Sequence, residues 1–230
     1  MPSLFAHSEL GDLIGKVEKG QRLDFDAGVR MINSQEILTL GYMANLLRER
    51  INGNQTYFIV DRPIDYSDVG ASFDEIEKQA NATMVYGHKE SKEDRINHLL
   101  ELRTLQDQTK EFLTFSPLPF YSENTKLEGT MGVGNTTGYE DLKMLAISRI
   151  LLDNIDHIKA FWMLLGPKLA QVSLAFGVDE LDGNVVEERI TPITGAESSH
   201  ISKRALIHLI QKAGRDAVER DALYRVLKID

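Results

Sequence analysis

Cysteine is absent from all 230 residues. That absence excludes disulfides, thiolate nucleophiles, sulfur-based zinc sites and iron–sulfur clusters held by three or four cysteines. A basic excess is missing too. Lys and Arg number 26 against 35 Asp and Glu, a formal net charge of −9 with no basic run, which argues against nucleic acid as the main partner. No apolar run approaches the ~20 residues of a membrane-spanning helix, and the first ten residues lack the basic start and apolar stretch of a signal peptide. The expectation is a soluble, cytoplasmic protein with no membrane partner, and the Asn-x-Thr triplets at Asn54, Asn81 and Asn135 are then chance. The six histidines show no H-x-x-x-H or H-E-x-x-H spacing, so no metal site is expected.

What is present is ordinary globular material, 42% hydrophobic and 27% charged. The first fifty residues read as helices. Leu10, Leu13, Ile14 and Val17 follow one helical face over 8–18, and Asp24 caps a short helix through Val29 and Ile32. Ser34 begins a third, with Ile37, Leu38, Leu40, Met43, Ala44 and Leu47 as its buried face and Gly53 at its end. Residues 56–60 form a β-branched and aromatic strand. The signal fades over 61–80, where only a short helix at 73–79 suggests itself.

From Ala82 strands and helices alternate. Strands are predicted over 83–86, 112–116, 157–165 and 178–181. The intervening helices carry their own start signals. Ser91 with Asp94 makes a box-like cap above Ile96, Leu99, Leu100, Leu102 and Leu105. A helix apolar on two sides spans 138–154, and Pro167 opens another with Leu169, Val172 and Phe176 inward and Gly177 as its stop. Ser202 caps the last, with Ile201 stapled onto Leu206 and Gly214 at its end. This is the grammar of βαβ units around a parallel sheet, an α/β architecture of barrel-like type. It divides into an N-terminal helical segment, 1–55, and an incomplete (β/α) barrel with a C-terminal helical extension, 56–230.

Several constellations can carry chemistry. Tyr86-Gly87-His88-Lys89-Glu90 sits at the carboxyl end of a predicted strand, the end that holds ligands in parallel α/β folds. Gly87 would let backbone approach a flat ligand while His88 and Glu90 hydrogen-bond it; the plainer reading is a solvated strand-to-helix turn. The glycines of 132–138 lack both P-loop and dinucleotide spacing and read as a flexible connection. Glu187-Glu188 could hold a cation or a sugar hydroxyl, or be ordinary surface carboxylates. Ser198-Ser199-His200 is no triad signature, and Phe161, Trp162 and Met163 read as core.

The string Phe161-Trp162-Met163-Leu164-Leu165-Gly166-Pro167-Lys168-Leu169-Ala170-Gln171-Val172 closely resembles aminofutalosine synthase, a radical S-adenosylmethionine enzyme of the futalosine route to menaquinone. Asp179-Glu180-Leu181-Asp182-Gly183, Val186-Glu187-Glu188 and Val218-Glu219-Arg220-Asp221-Ala222-Leu223-Tyr224 fit the same family, as do Tyr57-Phe58-Ile59-Val60 and Gly20-Gln21-Arg22-Leu23 near the front. Dehypoxanthine futalosine cyclase and deazaflavin synthase match these strings less closely. The resemblance implies a barrel of the radical S-adenosylmethionine type, a 4Fe-4S cluster and S-adenosylmethionine. It also implies adenosyl transfer to 3-[(1-carboxyvinyl)oxy]benzoate, giving aminodeoxyfutalosine. It places Tyr86, Gly87, His88 and Glu90 beside the cofactor's adenine, and it puts Arg62, Asn124, Gln171 and Glu187 in family-like strings as candidates for the substrate.

The chain also departs from the family. Ile64-Asp65-Tyr66-Ser67-Asp68-Val69 should lead into C-x₃-C-x₂-C; here Gly70-Ala71-Ser72 follows, and Asn81-Ala82-Thr83-Met84 arrives several strand–helix units too early. The expectation is a truncated relative without the cluster, catalytically dead, holding about five or six parallel strands where a complete barrel takes ~250 residues. An open arc exposes strand edges and apolar interior, which predicts self-association or pairing through those edges. A second reading is a non-catalytic partner that binds a nucleoside or aryl carboxylate or assembles with a full-length paralogue.

Overall fold

The computed structural model describes residues 5–60, 80–120, 136–187, 200–221 and 224–227. Arg62, Asn124, Glu188, the helix expected at 73–79 and the glycines of 132–134 lie outside them. Three helices open the chain: α1 (Gly11–Glu18), α2 (Phe25–Asn33) and α3 (Ile37–Asn52). Asp24 caps α2 by accepting from the Ala27 amide. Arg48 of α3, fully buried, donates to the carbonyls of Gly53 and Gln55 and to Thr56 Oγ1, tying α3 to the next strand.

That strand, β1 (Gln55–Ile59), is followed among the described residues by β2 (Ala80–Tyr86), α4 (Lys92–Thr109), β3 (Phe112–Pro119), α5 (Gly138–Leu151) and β4 (His157–Phe161). Then come α6 (Trp162–Leu165), α7 (Pro167–Ser173), β5 (Glu180–Asp182), β6 (Val185–Val186), β7 (Ile201–Ser202), α8 (Lys203–Lys212) and β8 (Asp216–Arg220). Six strands form one sheet in the order β2-β3-β4-β5-β1-β8, with every pairing parallel. β6 and β7 make a separate parallel pair. Helices cover one face, so this is a partial (β/α) barrel, the architecture that the sequence led us to expect. A core continuous from Phe5 to Ile210 joins the opening helices to the strand–helix units.

Capping boxes fix two helix starts: Ser91 with Asp94 on α4 and Thr137 with Glu140 on α5. Each satisfies amide donors that a helix start leaves orphaned. Pro167 opens α7 and Ser202 caps α8.

Four expectations need correction. The apolar run from His157 is strand only to Phe161; it turns into α6, which buries Trp162, and a buried strand and a buried helical turn look alike in composition. The helix opened by Pro167 ends at Ser173, where Ala170 and Ser173 face inward and Val172 is 46% exposed. Leu38 and Leu105, assigned inner faces, are 66% and 44% exposed. β8, read from the sequence only as a matching string, is an end strand paired with β1 along its whole length.

The sheet's other face also differs from expectation. Strand alternation sends Thr56, Phe58, Ile158, Ala160 and Leu181 to the helices, and Tyr57, His157, Lys159, Glu180, Asp182 and Arg220 to the opposite side. The face expected to be apolar is dominated by charge.

Candidate functional site

Two groups of residues carry chemistry. The first is the turn that follows β2. Glu90 folds back so that the amides of Gly87 and His88 donate to its two carboxylate oxygens at 2.6 and 3.0 Å, while Arg95 Nε donates at 2.8 Å. Burial alone would raise the Glu90 carboxyl; those amides and the Arg95 charge hold it below its usual range. Gly87 takes φ +90°, and a Cβ there would stand 2.4 Å from Thr136 Cγ2, so the turn needs glycine on both counts. His88 packs on Phe120 with ring centroids 4.5 Å apart.

Tyr86 points away from this turn into the helix layer. Its hydroxyl donates to Asp141 at 2.8 Å, and burial pushes that carboxyl above its usual range. Tyr86, Gly87, His88 and Glu90 are thus contiguous, but two of the backbone donors a flat ligand would use are engaged within the turn. The remaining described candidates both meet α8. Gln171 on α7 donates to the Leu209 carbonyl at 2.8 Å, and Glu187, just after β6, lies 3.5 Å from the Lys203 ammonium.

The second group, which sequence reasoning missed, is a charged network that runs from Arg149 in the helix layer, through Asp179, to the face away from the helices. Arg149 of α5 reaches Asp179 at 2.6 Å, both side chains fully buried, and His157 Nδ1 lies 2.5 Å from the other Asp179 oxygen. Arg220 Nη1 stands 2.9 Å from His157 Nε2. A guanidinium has no lone pair to offer, so Nε2 accepts, and the ring proton sits on Nδ1 and is donated to Asp179. Arg220 also pairs with Glu180, and Lys159 lies 3.5 Å from Glu180 and 3.0 Å from Asp182. Burial pulls Lys159 down, but the two carboxylates prevail and hold it above the usual lysine range. The Arg220 guanidinium lies 4.4 Å from the Tyr57 ring centroid and 4.5 Å from that of Tyr224, stacking as guanidinium planes do on aromatic faces.

Cation and carboxylate balance here and the ion pairs link neighbouring strands, while Arg220 Nε and Glu180 Oε1 have no hydrogen-bond partner among the described residues. The signal in the sequence was the alternation His157-x-Lys159 against Glu180-x-Asp182, opposite charges on same-face positions of neighbouring strands.

A cluster of the implied kind does not fit these residues. Its ligands would be thiolates, of which the chain has none, and among the described residues no three His, Asp or Glu side chains stand together as metal ligands.

A parallel half-barrel whose strands carry this network and whose β2 ends in a glycine turn defines an α/β barrel relative. Residues 109–230 match the family model of the CofH/MqnC C-terminal region, and since that is more than half of the chain, the protein belongs to this family. It is 47% identical over 151 residues to aminodeoxyfutalosine synthase of Thermus thermophilus, covering 65% of this chain and 41% of the relative. It is 44% identical over 149 residues to 5-amino-6-(D-ribitylamino)uracil–L-tyrosine 4-hydroxyphenyl transferase 1 of Methanosarcina mazei, covering 63% and 40%. The chain thus spans about two fifths of the length of these relatives, and identity alone scarcely separates the two named activities. In fold it is similar to the FeFe-hydrogenase maturase HydG of Carboxydothermus hydrogenoformans, with a TM-score of 0.64, 12% identity, and coverage of 94% of this chain and 81% of that one.

Proposed function

We propose that this chain is a non-catalytic relative of aminodeoxyfutalosine synthase in the menaquinone route, working in the cytoplasm, and that it performs no radical chemistry alone. The observation that carries this reading is the lack of any thiol in 230 residues. Reductive cleavage of S-adenosylmethionine needs an electron from a cluster, and the cluster needs thiolate ligands. Among the described residues no helix is long and apolar enough to cross a membrane, which accords with that setting. The test is anaerobic reconstitution with iron and sulfide. The expected result is no stoichiometric brown absorbance and no 5′-deoxyadenosine from S-adenosylmethionine; either signal at stoichiometric level overturns the reading.

A second reading, assembly with a longer relative or with another copy, is favoured by the outer edge of β2. Among the described residues no strand pairs there, and Val85 on that strand is 58% exposed. Co-expression with a full-length relative, followed by size-exclusion chromatography with light scattering, distinguishes the two. A heteromer or homodimer supports assembly, and a monomer under both conditions removes it. Calorimetry with S-adenosylmethionine and with aminodeoxyfutalosine tests whether the β2 turn retains nucleoside affinity.

A further inference from the structure

A cavity of about 340 Å³ lies in the helix layer between α2, α4 and α5, on the opposite side of the sheet from Lys159, Glu180 and Arg220. Its charges do not balance. Lys92, Arg95 and Lys143 line it, and the carboxylate lining it is Glu140, whose Oε2 already serves the start of α5 by accepting from the Thr137 amide and hydroxyl.

Lys143 is 7% exposed, and its ammonium is held by the carbonyls of Ser34 at 2.5 Å and Ile32 at 3.3 Å, with no carboxylate within ion-pair distance among the described residues. Lys92 is held by the Asn33 side-chain oxygen at 3.0 Å, a neutral partner. Arg95 commits only its Nε to Glu90; its two terminal nitrogens have no hydrogen-bond partner among the described residues. Buried cations are ordinarily paired, and of the three Lys143 is the buried one without a carboxylate partner among the described residues. Exposed Lys92 and the terminal nitrogens of Arg95 stand beside it, so an anion in the cavity would supply the missing counter-charge. Burial first, and then the neighbouring Lys92, press Lys143 toward its neutral form against the opposing charge of Glu140, and an anion in the cavity would act in the same sense as Glu140. The Tyr139 ring, 4.9 Å from the Lys143 ammonium, and the Met144 side chain add an apolar wall.

We propose that this cavity binds the oxyanion of a small molecule, a carboxylate or a phosphate, between Lys92, the free end of the Arg95 guanidinium and Lys143. The proposal does not depend on the reading of the β2 turn or on the absence of radical chemistry.

Isothermal titration of the full chain with sodium phosphate, and separately with sodium benzoate, at fixed ionic strength tests it. Saturable heat with either anion is expected, and which of the two binds tells the source of the oxyanion. Lys92→Gln, an exposed position, should weaken binding about tenfold, the loss of one charge-assisted hydrogen bond. Lys110→Gln, an exposed lysine beyond the cavity, should leave it unchanged. Lys143→Met, checked for folding by circular dichroism, should abolish it. No saturable heat with either anion, or equal affinities for Lys92→Gln and Lys110→Gln, overturns the proposal.

Discussion

The hydroxyl of Tyr224, a few residues after β8, donates to Asn81 Oδ1 on β2 at 2.6 Å. These two strands are the opposite ends of the six-stranded sheet. The same Asn81 oxygen accepts from Thr114 of β3, and Tyr224 holds a left-handed φ of 61°. A non-glycine residue keeps that conformation at a cost, here offset by the hydroxyl bond and by the stacked Arg220. Among the described residues the Tyr224 side chain therefore links the two ends of the sheet.

Tyr224→Phe removes this bond while keeping the ring. We expect a loss of about 1 kcal/mol in urea unfolding and a rise in self-association by light scattering. Unchanged stability and mass would show that the bridge contributes nothing.

The buried Arg149–Asp179 pair sets a pH dependence. Burial alone would raise the Asp179 carboxyl, but the Arg149 charge and the His157 hydrogen bond overcome it and leave the group below its ordinary 3.8. A carboxyl depressed in the folded state stabilises above its unfolded value, and that stabilisation is lost as pH falls below 3.8 toward the folded value. Asp179→Asn should cost about 3–5 kcal/mol at neutral pH, because it leaves Arg149 buried without its partner. The gap between variant and parent should narrow in urea titrations carried down toward about pH 3.

Gly183 takes φ +142°, and a Cβ there would sit 2.4 Å from Trp162 Nε1. Gly183→Ala should push the indole out and cost about 1–3 kcal/mol. Trp162 is the sole tryptophan, so its fluorescence maximum reports the displacement directly.

Glu90→Ala leaves the Gly87 and His88 amides without their carboxylate. A loss of about 1–3 kcal/mol is expected, with hydrogen exchange at these two amides accelerating ahead of β2 itself.

How much of this could be read from sequence depended on whether the signal was local. The caps at Asp24, Ser91 and Ser202 and the proline start at Pro167 are written within three or four residues of themselves, and the structure places each as read. The parallel, barrel-like α/β architecture followed from the order of the elements, and its being partial from the units missing relative to the family that the chain resembles. The end of β4 did not, because Trp162 is buried whether the run continues as strand or turns into helix. The charged network stayed hidden for a different reason. Lys159, Glu180 and Arg220 look like surface residues one at a time, and only pairing between strands distant in sequence neutralises them. At the β2 turn, the position of Glu90 was legible, but not that its carboxylate is absorbed by Gly87, His88 and Arg95.

The strand order has a bearing on biosynthesis. β1 leaves the ribosome well before β5 and β8, the two strands that flank it, have been translated. Until they appear, both of its edges lie open, and contacts of such long sequence separation form slowly. Variants that delay pairing at either flank should accordingly lower its yield in cells more than its stability once purified.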